Sequence, residues 1–384
     1  MRFDYIDNAL TLYLVGEINS ATAPTIDREI DGIIAKKKIT SLVLDFDEVT
    51  YLSSAGLRIV LRLKQKYGEV SIVNASLEVY DVLSMTGFTT MMTVQRKLAE
   101  IDVSNAELIG EGFFSLVYRI DKDTIIKVFR QHTALSEVER ELNLAKQAFV
   151  LGVPTAISFD VVKVGDRLGV RFEMLDCASL RDVFRDHPER YDEMLHKYAD
   201  LLTTINTTEP MDPTLPDIKA AWISKGRTCR RYLDDAHYAK LMDLLSGIED
   251  RQTFVHGDCH YKNIMVQGEE LLLIDMDTLS RGHPIFELAS IYAPYVAFEE
   301  SDEGNTQRFM GISAEFTQKM FHDLLALYFG KEDESYFKKI GLVAYAHMIW
   351  WNQANTPDNH VRHEVCLKKL IALLDEVEDL DIGK

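Results

Sequence analysis

The chain has 384 residues, 47% of them hydrophobic and 27% charged, with a formal net charge of -19; that composition builds a sizeable core and excludes a disordered chain. The length suits two or three domains rather than one. No stretch approaches the roughly 18 apolar residues of a membrane helix, and MRFDYIDN at the start has no apolar signal run, so a cytoplasmic protein with no membrane contact is expected.

The first hundred residues alternate strand-like and helix-like segments. RFDYID and ALTLYLVG are β-rich runs around an Asp-Asn turn, and APTIDREIDGIIAKK has helical spacing at Ile26, Ile30, Ile33 and Ile34. SLVLDF reads as a buried strand, after which Ser53 or Ser54 can cap a helix through AGLRIVLRLKQKY. VSIV, a helix over LEVYDVLSM stopped at Gly87, and MMTV complete a small α/β domain.

Three segments of this domain, LVGEINSATAP (14–24), LDFDEVTYLSSAGLR (44–58) and MTGF (85–88), resemble the STAS domain of anti-sigma-factor antagonists, and the resemblance covers residues 1–98. It implies a regulatory module with a protein partner, and a phosphoacceptor serine that corresponds to Ser54. A phosphate there would meet the unpaired N–H groups of a helix N-terminus and add nearly two negative charges to a docking face. As a bland alternative, Ser54 is only a helix cap. Ser53 stands where many members of that family carry Asp.

After a connector at 99–104 the pattern changes. AELIGEGFFSLVYRI and DTIIKVF form a three-strand meander with an Asp-Lys-Asp turn, and a helix runs from about Leu135 to Leu151, closed by Gly152 with Pro154 beyond. AISFDVVKV and LGVRFEML add two strands joined through Gly165-Asp166, giving a five-stranded lobe over 105–175 with one helix. The remainder, 176–384, is mainly helical.

Charge is uneven, with 11 Lys+Arg against 12 Asp+Glu in residues 1–98 and 31 against 49 beyond. That acidity opposes nucleic-acid binding, which needs clustered cations. It would suit a cationic substrate or a merely solvated surface. Cys177, Cys229, Cys259 and Cys366 form no C-x-x-C pair, so neither a disulfide framework nor a zinc site is indicated.

Within the helical part, HGDCHYKNIMV supplies Asp258 and, five residues later, Asn263, and LLLIDMD places Asp275 at the end of the next apolar strand. Phosphoryl transfer asks for positioning, metal ions and a carboxylate near the acceptor hydroxyl. Asp258 is therefore assigned as catalytic base, and Asn263 and Asp275 as oxygen ligands of Mg2+ bridging the nucleotide phosphates. Upstream, Gly110, Gly112 and Ser115 in GEGFFS are assigned to the phosphates. Lys127 in IIKV is assigned to reach the α and β phosphates, with Glu141 as its best helix partner and Glu137 the next. His256 and His260 read as loop-shaping hydrogen-bonders.

These residues, HGDxHxxN followed by IDxD above all, resemble the aminoglycoside phosphotransferase and choline kinase family over residues 105–300. The resemblance implies the same roles for Lys127, Glu141, Asp258, Asn263 and Asp275, and a base-binding hinge around Glu173 to Leu175 in FEMLDCASL. RGHPIFELA (281–289) departs from the family pattern with Glu287 in place of Asp, which predicts weaker anchoring of the catalytic loop. The expected fold is thus an α/β STAS-like domain followed by an α+β bilobal, protein-kinase-like phosphotransferase domain. The expected activity is transfer from ATP or GTP to a hydroxyl of an aminoglycoside, amino alcohol or sugar. The alternative is a partner-switching protein whose kinase-like part senses nucleotide or phosphorylates a protein serine such as Ser54. The run Glu299-Glu300-Ser301-Asp302-Glu303 reads as a solvated loop.

Overall fold

Apolar residues at every second position of ALTLYLVGEI define a strand with one buried face. In the computed structural model, which describes residues 1–35, 37–112, 115–130, 133–175, 177–210 and 215–383, this segment is β2 (Ala9–Ile18), with Leu10, Leu12 and Leu14 buried. It forms a hairpin with β1 (Arg2–Ile6) through Asp7 and Asn8. Both turn residues lie at positive φ (48° and 67°), as a two-residue turn matching strand twist requires. The chain continues through α1 (Ala23–Ile34), β3 (Ser41–Leu52), α2 (Ser54–Tyr67), β4 (Val70–Ala75), α3 (Leu77–Met85) and β5 (Thr93–Arg96). The sheet order is β1-β2-β3-β4-β5, and all pairings after the first are parallel, so helices make the crossovers. β3 runs on to Leu52, past SLVLDF, because Glu48 to Leu52 stay paired with β2 across two register shifts.

The serine pair at the start of α2 is resolved by geometry. The Ser53 hydroxyl accepts from the Ala55 N–H (3.2 Å) and donates to the Ile18 carbonyl (3.1 Å), so Ser53 is the cap. Ser54 is the first helical residue and is exposed. Two residues on, a Cβ at Gly56 would lie 2.5 Å from Leu52 Cδ1 and 3.0 Å from the Ile18 carbonyl oxygen, so the helix seats on the sheet only with glycine there.

This first unit spans Met1–Ile101 and the second Asp102–Lys384. The second opens with β6 (Glu107–Glu111), β7 (Ser115–Arg119) and β8 (Thr124–Phe129), followed by α4 (Leu135–Val150), β9 (Ser158–Val164) and β10 (Arg167–Glu173). Neighbours in the order β9-β10-β8-β7-β6 are all antiparallel. Gly152 at φ +86° turns the chain out of α4.

The helical part contains α5 (Leu180–Asp186), α6 (Tyr191–Thr207), α7 (Ile218–Gly226) and α8 (Asp235–Gly247), then a hairpin of β11 (Ile264–Gln267) and β12 (Glu270–Leu273). After it come α9 (Pro284–Tyr292), a π-helical turn (Ala293–Ala297), α10 (Phe298–Ser301), α11 (Asn305–Met310), α12 (Ala314–Phe329), α13 (Glu334–Asn355) and α14 (His360–Glu376). One apolar core joins these elements, with Tyr198, Phe254, Tyr261, Phe286, Tyr295 and Phe321 fully buried. Among the described residues no helix is long and apolar enough to cross a membrane.

Candidate active site

The catalytic-loop segment leaves a two-residue strand pair, Phe254–Val255 with Ser280–Arg281, and runs to the start of β11. Its first residues are fixed from below. The fully buried Glu287 of α9 accepts the His256 N–H (2.5 Å) on one oxygen and the Gly257 N–H (3.1 Å) on the other. The expectation that Glu287 weakens this anchoring is therefore corrected: its longer arm reaches two consecutive amides. Gly257 sits at φ +83° with Thr278 backbone oxygen 3.3 Å from any added Cβ, so only glycine fits the bend. Thr278 Oγ1 donates to the His256 carbonyl (2.6 Å).

His256 shapes the loop from within. Its Nδ1 accepts the Asp258 N–H (3.2 Å), so Nε2 carries the proton it gives the Ile274 carbonyl (3.2 Å). Burial lowers its pKa and keeps the ring neutral. Farther along, Tyr198 donates to the Cys259 carbonyl, and Tyr295 Oη accepts the Tyr261 N–H (2.8 Å). The loop thus arrives at Asp258 with its backbone held on both sides.

Asp258 and Asn263 are brought together as their spacing predicts. Asn263 Nδ2 donates to Asp258 Oδ2 (2.9 Å) and to the Asp258 carbonyl (3.0 Å). The other carboxylate oxygen lies 3.4 Å from His260 Nε2. Removal from water pushes Asp258 up to about 6; His256 opposes this and Asp275 adds to it.

Across the cleft, Lys127 on β8 lies 2.7 Å from Glu141 Oε1 and 2.6 Å from Asp275 Oδ1. Glu141, rather than Glu137, is its helix partner; Glu137 instead accepts the Ala134 N–H at the start of α4. Burial alone would lower the lysine's pKa, but Asp275, Glu141 and Asp277 together raise it, so it stays charged. Burial raises Glu141 despite Lys127. Asp275 sits at φ +69°, directly after Ile274, and Asp277 is pushed up to about 7 by burial and by Asp275.

Gly110 and Gly112 lie at the β6–β7 tip, where the Gly112 N–H meets the Ser115 carbonyl (2.8 Å) and Ser115 is buried. Phe113 and Phe114 lie outside the described residues. At the hinge, the Glu173 N–H is taken by the Ile157 carbonyl (2.9 Å) and the Met174 N–H by the Asp123 carbonyl (2.8 Å). Among the described residues the Leu175 N–H is left without a partner; Asp176 is outside them.

The sequence places an acceptor pocket in the helical region from Tyr191 to Tyr295 and the C-terminal helices without naming its walls, and the cavity beside Asp258 lies there. It measures about 460 Å³ and is walled by residues from α7, the π turn, α10, α11 and α13, among them Trp222, Phe298, Phe309, Met348 and Trp351. Tryptophans in AAWISKG and HMIWW were the available signal, but nothing local says which face they line. The acidic run is not a solvated loop either. Glu299 accepts from the Gly304 (2.6 Å) and Thr306 (2.9 Å) amides, Glu300 holds Tyr345 and Lys369, and Asp302 holds Arg308 and Arg362.

A strand-rich lobe joined to a helical lobe, with a lysine–glutamate pair and an Asp-Asn-Asp set facing one cleft, is the build of a phosphotransferase of the kinase fold. The phosphotransferase enzyme family matches residues 105–311, and the chain belongs to it; residues 2–101 match the STAS domain. Over 98 residues the first unit is 34% identical to a proposed anti-sigma factor antagonist, BtrV of Bordetella bronchiseptica, a match covering 24% of this chain and 84% of that protein. Among solved structures, a choline/ethanolamine kinase family protein from Mesorhizobium loti superposes with a TM-score of 0.47 at 14% identity, covering 71% of this chain and 89% of its own. Aminoglycoside phosphotransferase APH(3'')-Id from Streptomyces rimosus superposes with a TM-score of 0.43 at 15% identity, covering 71% and 93%.

Proposed function

We propose that the second unit moves the terminal phosphoryl group of ATP or GTP to a hydroxyl of a small molecule, with Asp258 as catalytic base. The observation that carries this reading is Asp258 itself. It lines the cavity where an acceptor fits, one oxygen is held by Asn263, and burial raises its pKa to about 6, near the range a general base needs. The acceptor oxygen, giving its proton to Asp258, attacks the terminal phosphorus as the bond to the nucleoside diphosphate breaks.

Lys127, pre-set by Glu141, would exchange its contact with Asp275 for the α and β phosphates. Gly110, Gly112 and Ser115 lie at the tip assigned to those phosphates, and the Leu175 N–H beside Glu173, which has no backbone partner among the described residues, suits a nucleotide base. Asn263 and Asp275 would hold Mg2+. Among the described residues no cluster of three or more His, Cys, Asp or Glu side chains is arranged for a metal. The fit does not need one, because magnesium takes only one or two protein oxygens and completes its shell with phosphates and water. When bound, the ion would neutralise charge on the nucleotide oxygens. We place the protein in a reducing cytoplasm, which suits its free cysteines, three of them buried.

The test is nucleotide consumption over a panel of aminoglycosides, amino alcohols, sugars and nucleosides. Asp258→Ala is expected to lower transfer by roughly three orders of magnitude or more. Turnover unchanged by that substitution would sink the assignment.

A second reading concerns the STAS unit as a regulatory module with a protein partner. Ser54 is exposed and, among the described residues, its hydroxyl makes no hydrogen bond, since Ser53 does the capping. Intact mass after incubation with nucleotide and magnesium should then rise by one phosphate and not in Ser54→Ala; no added mass counts against it.

A further inference from the structure

The cavity beside Asp258 has a charge pattern that bears on the acceptor. Along α7, Ile218, Ala221, Trp222 and Lys225 fall on one helical stripe facing the cavity, a stripe about 10 Å long at 1.5 Å per residue. From α13, His347 stacks on Trp222 with ring centroids 4.3 Å apart and planes 22° from parallel. The Lys225 ammonium lies 4.3 Å from the Trp350 ring centroid and 5.9 Å from that of Trp222.

Among the described residues no carboxylate lies within ion-pair distance of Lys225. Lys219, earlier on the same helix, shows the contrast, because it holds Asp250 at 2.7 Å. Lys225 is half-buried, and burial lowers its pKa with no charged neighbour opposing. Aromatic faces stabilise an ammonium by about 0.5–2 kcal/mol but leave its three donors without acceptors.

The acids that might have answered it are engaged elsewhere. Asp217 caps α7 through the Ala220 N–H (3.0 Å) and lies 3.5 Å from Arg281. Asp258 and Asp277 belong to the phosphoryl-transfer edge. The run 299–303 is tied to Lys369, Arg308, Arg362 and its own backbone. Asp217, beside Arg281, and Asp277, at the phosphoryl-transfer edge, also line the cavity; the wall formed by Trp222, Met348 and Trp351 carries Lys225 as its charge, and Arg140 adds a second cation to the lining.

We propose that the acceptor is a hydroxylated small molecule with a planar or apolar body and an anionic group, carboxylate or phosphate, held by Lys225 while its hydroxyl reaches Asp258. This deepens the phosphotransferase reading and rests on it. A polycationic acceptor would meet the wrong sign of charge on this wall.

Four probes share one body: 4-(hydroxymethyl)benzoate, 4-(hydroxymethyl)phenyl phosphate, 4-(hydroxymethyl)benzamide and 4-(aminomethyl)benzyl alcohol. Their binding to the full chain without nucleotide can be followed through tryptophan fluorescence, since Trp222 and Trp351 line the cavity. The better anion should bind roughly tenfold tighter than the cationic probe, and comparison of the two anions tells carboxylate from phosphate. Lys225→Gln should erase that preference and Lys225→Glu reverse it, with melting temperature confirming that both variants fold. The proposal is overturned if the cation binds best, if the anion preference survives in Lys225→Gln, or if no probe binds. Nucleoside diphosphate release is measured separately. A probe that binds with the expected charge order but is never phosphorylated would count against the phosphotransferase reading and leave the charge assignment standing.

Discussion

Glu287 carries the sharpest test of how the catalytic loop is held. Glu287→Gln keeps its volume but turns one oxygen into a donor, so either the His256 or the Gly257 N–H loses its acceptor in a buried place. An unsatisfied buried N–H costs about 1–3 kcal/mol. Glu287→Ala loses both acceptors and leaves a cavity, which raises the cost to about 4–7 kcal/mol, comparable with the whole stability of many domains. Urea unfolding read by tryptophan fluorescence reports the second unit alone, because Trp222, Trp350 and Trp351 all lie in it. At a slope near 3 kcal/mol per molar, the glutamine variant should unfold roughly 0.3–1 M earlier.

The pH dependence of that gap is also fixed. Burial pushes Glu287 up to about 7, against the pull of the His256 and Gly257 amides. A folded pKa above the unfolded value of about 4.3 means the contribution is fully present below that value and lost as pH rises through 7. Because glutamine does not titrate, the wild-type midpoint should fall relative to that of Glu287→Gln as pH rises from 5 to 8. A wild-type midpoint that rises relative to the glutamine variant over that range would refute the account of this buried carboxyl.

Three further outcomes are expected from other contacts. Lys127→Ala strands the buried Glu141 and should destabilise the second unit by about 3–5 kcal/mol; Lys127→Met with Glu141→Leu should recover much of this in urea while a fluorescent nucleotide still fails to bind. His237 bridges Asp234 (2.8 Å) and Asp375 (3.1 Å), and hydrogen bonds first to Asp375, then to Asp234, raise its pKa. Its stabilisation is present below about 6.5 and lost as pH rises through the raised value, so the urea midpoint should fall more on going from pH 6 to pH 8.5 in the wild type than in His237→Asn. Gly56→Ala forces a Cβ against Leu52 and the Ile18 carbonyl and should cost the first unit about 1–3 kcal/mol, visible as faster amide exchange in β2 and β3.

The residues we assign to phosphoryl transfer were picked out because that chemistry needs polar groups at fixed offsets from apolar strands, and the structure brings Asp258 to Asn263 and Asp275 to Lys127. Lys127 and Glu141 emerge from a strand–helix spacing. For the cavity beside Asp258 the region was legible but the individual walls were not. They come from α7, the π turn, α10, α11 and α13, each apolar in a way that a plain core segment would also be. That no carboxylate among the described residues pairs with Lys225 follows from the fold in space, and no local pattern carries it. The acidic run misled for the same reason: its partners Lys369 and Arg362 are 60 or more positions away. Glu287 shows the limit of reading by resemblance, since a one-carbon change that looks like a loss proves to span two amides.

The π-helical turn at Ala293–Ala297 has a consequence for how this protein can change. A turn closed by i→i+5 bonds holds one residue more than an α-helical turn and swings the next stretch of chain to a new heading. Here it lets Ala293 and Pro294 face the cavity while Tyr295, next in the chain, reaches under the catalytic loop to the Tyr261 N–H. Wall and loop support are therefore neighbours on one backbone strip. A substitution that reshapes this side of the cavity therefore also disturbs the support of the segment that carries Asp258.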